Sequence, residues 1–123
     1  MGHVCASLCV LIAMAAPVFA AEPSDPYLRF ATCAGRYSAL MEHHWLMGAP
    51  EADQTRANRQ GIIDLLDTSP AVGPGLLARR IEAKHLLART LQRAEFATSP
   101  QDRRIARAGA DRAIAECRAL VLE

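Results

Sequence analysis

Apolar residues recur along this chain at intervals of three and four rather than two, and no stretch concentrates Val, Ile, Thr and aromatic residues, so the pattern predicts helices and no strands. The first helix begins at Ser24-Asp25-Pro26, a capping residue followed by Pro in the first turn, and runs to Met47-Gly48. Its main stripe is Phe30, Cys33, Ala34, Tyr37, Leu40, Met41 and His44. The second, Glu51 to Asp67, is polar until Ile62, Ile63, Leu65 and Leu66. Thr68 to Gly75, rich in Pro and Gly, reads as a loop. The third helix, Leu76 to Ala97, is expected to turn Leu77, Ile81, Leu87, Ala88, Leu91 and Ala94 inward. Ser99, Pro100 and Asp102 start the fourth in the manner of a capping box, and its stripe is Ile105, Gly109, Ala113, Cys117 and Leu120. Four such helices joined by short connections predict an all-α, up-and-down bundle.

The N-terminus follows a different pattern. Val4 to Ala16 is almost uninterrupted apolar sequence, then come Pro17-Val18-Phe19-Ala20 and the polar Ala21-Glu22-Pro23-Ser24. An apolar core, a helix-breaking Pro and small residues before Ala21 predict a secretory signal peptide over residues 1–20. A short linker at 21–24 and a single helical-bundle domain at 25–123 follow, which places the mature chain in a bacterial periplasm or outside the cell. The competing reading is a retained anchor, since Val4 to Ala21 is 18 residues, the lower limit for a span. Membrane association is expected only in that case.

Composition narrows the functional classes. A chain of 123 residues allows one domain and excludes a two-domain enzyme. With 51% hydrophobic residues and 14 basic against 13 acidic side chains, it is neither disordered nor a basic nucleic-acid surface. Only 5% of the residues are aromatic, so the core is built from small and aliphatic side chains.

Of four cysteines, Cys5 and Cys9 fall in the leader, which leaves Cys33 and Cys117. Antiparallel first and fourth helices put both about two turns from the same end of the bundle, facing inward. In an oxidising compartment they are expected to form a disulfide.

Candidate chemistry concentrates in Met41-Glu42-His43-His44-Trp45-Leu46-Met47. Met41, His44 and Met47 are spaced by three and share one helix face. Thioether and imidazole together suit copper as Cu(I), although Met41 and His44 also fall on the core stripe. Haem is not expected: there is no Cys-x-x-Cys-His, and His44 and His85 would differ in height by roughly 15 Å at 1.5 Å per residue. No nucleophile elbow, His-x-x-x-His pair or Gly-rich phosphate loop points to catalysis. Lys84, the only lysine, is expected to pack its stem and pair with an acid such as Glu95. Opposite the main stripe the first helix carries Leu28, Ala31, Gly35, Ala39 and Leu46, a smooth face that either meets the other helices or receives a protein partner or second copy. The sequence thus points to an exported interaction or accessory module without cofactor or catalysis, with periplasmic copper binding as the alternative.

Overall fold

A computed structural model describes residues 25–69 and 74–122, so the proposed signal peptide at 1–20 and linker at 21–24 lie outside the described residues. Four helices account for the fold: α1 (Pro26–Met47), α2 (Ala52–Asp67), α3 (Pro74–Phe96) and α4 (Pro100–Leu122). Their ends follow the capping chemistry of the sequence. The Asp25 carboxylate accepts the Tyr27 N–H at 2.9 Å, and Pro26 opens α1, where its missing N–H costs nothing. At the other end Gly48 adopts φ +64°, a conformation open to Gly, while the Gly48 and Ala49 N–H groups bond the carbonyls of Trp45 and His44. Ser99 Oγ accepts the Asp102 N–H at 3.4 Å at the start of α4.

The chain alternates up and down, with α1 at the centre: it packs against all three other helices, whereas α2 rests on α1 with little contact elsewhere. Specific contacts fix the directions. Ser38 accepts from Arg59 at 2.8 Å and His44 meets Thr55 at 3.0 Å, so α2 runs antiparallel to α1. Gly35 lies against Arg80 and Lys84, and His43 against Glu95, so α3 runs parallel to it. A disulfide joins Cys33 to Cys117, 84 residues apart in sequence, with Cα atoms 5.4 Å apart and well within bridging range. Beside it Arg36 donates to the Ala113 carbonyl at 2.9 Å and to Glu116 at 2.8 Å, a second tie between α1 and α4.

The core gathers Cys33, Ala34, Tyr37, Ile62, Leu87, Leu91, Ile114 and Cys117. Two stripes differ from those expected. Leu77 and Ile81 of α3 and Ile105 of α4 are exposed, while Ala83 and, on α4, Ala106, Ala110 and Ile114 face inward; Leu87, Leu91 and Ala94 are buried as expected. Helices in close contact admit small side chains along the contact line, and bulky ones are turned to its flanks.

The same reasoning settles the smooth face of α1. Ala31, Gly35 and Ala39 are buried under α3 of the same chain, not offered to a partner. A Cβ on Gly35 would overlap the Arg80 carbonyl and stand 2.9 Å from the Lys84 nitrogen, so α3 approaches at backbone distance only because position 35 has no side chain. Leu28 is partly buried, and of that face only Leu46 stands fully in solvent. Lys84 extends from this contact to Glu42 at 2.6 Å, not to Glu95.

Candidate functional site

A half-open concavity lies at the end where α1 and α3 finish. It is a cleft of about 240 Å³ between the last turns of α1, the end of α3 and the first half of α4. Leu40, Leu91, Ala94 and Ala110 form its apolar base, and His43, His44, Met47, Glu95, Arg107 and Asp111 supply its polar and sulfur groups. Small-molecule sites usually occupy 300 Å³ or more, so the volume suits an ion or a very small ligand.

Helix geometry places the three α1 side chains. Met47 lies four residues after His43 and three after His44, so it neighbours both on the helix surface. The two imidazole rings stand 6.3 Å apart, centroid to centroid. On the facing helices Glu95 Oε1 is 3.8 Å from His43 Nε2 and 3.2 Å from Arg107 Nη2, and Arg107 also donates to the Ala94 carbonyl at 3.3 Å. With Asp111 this gives two carboxylates and one guanidinium.

His44 is fixed from behind. Thr55 Oγ1 gives its single proton to the Glu51 carbonyl at 3.0 Å, so it accepts from His44 Nδ1–H at 3.0 Å. That bond selects the tautomer and leaves Nε2 as an unprotonated nitrogen. Burial lowers the His44 pKa below its ordinary value of 6.5; the Glu51 carboxylate opposes this shift and His43 adds to it. The ring is therefore held neutral near pH 7.

The expected Met41, His44 and Met47 set is divided by the structure. His44 and Met47 line the cleft, whereas Met41 is buried and does not. Leu40, His43, His44 and Met47 follow an i, i+3, i+4, i+7 pattern on one face of α1, and Met41 lies about 100° around the helix from Leu40, off that face. His43 takes the third place in the cleft; its i, i+4 relation to Met47 was the available signal. Among the described residues no three His, Cys, Asp or Glu side chains converge as a metal site.

A second feature of the same end is the terminal turn of α1. Trp45, Leu46 and Met47 are 53%, 77% and 47% exposed. Three consecutive residues sweep about 200° around a helix, so this turn stands clear of the bundle on most of its circumference. Phe96, at the end of α3, is also exposed. Among the described residues no helix is long and apolar enough to cross a membrane. The chain matches no known protein family, and no curated protein or solved structure matches it.

Proposed function

We propose that this is an exported interaction or accessory module, a disulfide-closed scaffold that binds a protein partner through the terminal turn of α1 and has no catalytic role. The leader-like sequence before residue 21 and the Cys33–Cys117 bond both suit an oxidising compartment such as the bacterial periplasm. The observation that carries the binding role is the run Trp45, Leu46 and Met47, three large apolar side chains in solvent at one end of the molecule. Singly exposed apolar side chains are ordinary, but a contiguous cluster of them marks a contact surface. This relocates the partner face from the small-residue ridge, which α3 occupies, to the end of the same helix.

In-cell photo-crosslinking tests the reading. A photoreactive amino acid at position 46 is expected to give a discrete adduct whose mass identifies either a second copy or a different protein. The same group at the exposed His85 serves as control. Adducts no stronger at position 46 than at 85 would overturn the proposal.

A further inference from the structure

The cleft beside that turn shares Met47 with it and adds two histidines, and the argument for a site there does not depend on protein docking. We propose that His43, His44 and Met47 form a binding site for a soft monovalent metal ion, Cu(I) in the cell, in the cleft between α1, α3 and α4. Four observations converge on it.

The donors are two imidazoles and one thioether, the ligand types that select Cu(I) over harder divalent ions. Their spacing on α1 brings Met47 beside both histidines, with the rings 6.3 Å apart and all three side chains lining one cleft. His44 carries the support that metal-binding imidazoles have: its Nδ1–H is held by Thr55, which is itself anchored on Glu51, so Nε2 is the nitrogen left for an ion. The surroundings favour a single positive charge. Glu95 is paired with Arg107 and also faces His43, Asp111 adds a second carboxylate to the cleft wall, and the site sits at the negative end of the α1 dipole. Leu40, Leu91 and Ala94 make the remaining lining apolar.

The two cysteines of the bundle are spent in the disulfide, so no thiolate there competes for the ion. Chain purified from producing cells is treated with N-ethylmaleimide, which blocks Cys5 and Cys9 if they remain. It is then titrated with Ag(I), and with Cu(I) held by a coloured chelator under ascorbate. One equivalent is expected to bind, with Met47→Leu and His44→Gln each weakening retention at least tenfold. Met41→Leu should bind within twofold of the unaltered chain. A methyl-labelled sample provides a readout that needs no variant: Ag(I) is expected to shift the Met47 methyl resonance and leave that of Met41 in place. The proposal is overturned if the chain draws no Cu(I) from the chelator, if Met47→Leu retains the ion as well as the parent, or if the Met41 resonance moves instead.

Discussion

The two halves of α1 stand in opposite relations to the rest of the molecule. From Ala31 to Met41 almost every position is buried, small residues face α3, and Cys33 is bonded to α4. From His43 to Met47 the helix carries its largest apolar and most coordinating side chains, and Trp45, Leu46 and Met47 are in solvent. The first half has the side chains that let helices approach; the second has those on which the proposed binding roles rest. A central helix can do both because its neighbours cover one end more fully than the other: α3 stops at Phe96, and the chain turns away at Gly48.

Substitutions in the two halves should therefore separate stability from binding. The largest effect is expected from removing the disulfide. In the loop-entropy description a closure of this length contributes about 4 to 5 kcal/mol, comparable to the whole stability of a small domain. Urea unfolding of the Cys33→Ser, Cys117→Ser chain should show a loss on that scale or a chain that no longer folds; a loss below about 1 kcal/mol would show that the buried half does not need its staple. Next comes Gly35→Ala. The added methyl has nowhere to go against the Arg80 carbonyl, so the helices must separate, at about 1 to 3 kcal/mol or more by thermal or urea unfolding. An unchanged midpoint would mean that α3 does not lie where it is described.

The pH dependence is a subtler test of the boundary between the halves. In the unfolded chain His44 titrates at its ordinary value of 6.5, and in the folded chain burial holds its pKa lower. Between those two values the unfolded state binds the extra proton, so stability is full above 6.5 and is lost as pH falls toward the folded value. Denaturant midpoints should fall on acidification, and His44→Gln should remove that component; a His44→Gln chain with the same acid dependence would contradict the assignment. The smallest effect is expected at the end itself. Leu46→Glu should leave stability within about 0.5 kcal/mol while abolishing the crosslinks formed by a photoreactive group placed at the neighbouring position 45.

How much of this was legible beforehand follows from the same contrast. Helix ends were readable because capping is local: Asp25-Pro26, Gly48 and Ser99-Pro100 each act within a few residues of themselves. The Cys33 and Cys117 pairing was readable because alternating helices leave those two positions at one end. Inward faces were harder in α3 and α4. Where helices meet through Ala and Gly, burial follows size more than hydrophobicity, so Ile105 lies outside and Ala106 inside. The Ala31, Gly35 and Ala39 ridge had the same ambiguity, since a smooth face serves a helix of the same chain as well as a partner. At the candidate site the residue types were visible in one heptapeptide. Which of them share a cleft depended on which face of α1 lies toward α3 and α4, a matter of tertiary structure. Met41 is for that reason a core residue and His43 a cleft residue.

The central claim is that α1 is locked over its first half and open at its last turn. Residue-resolved native-state hydrogen exchange along this one helix tests it most directly. Amides from Ala34 to Met41 are expected to exchange only through global unfolding, and those of Leu46 and Met47 through local opening, orders of magnitude faster. Uniform protection from one end of α1 to the other, or faster exchange near Cys33 than near Met47, would contradict the account.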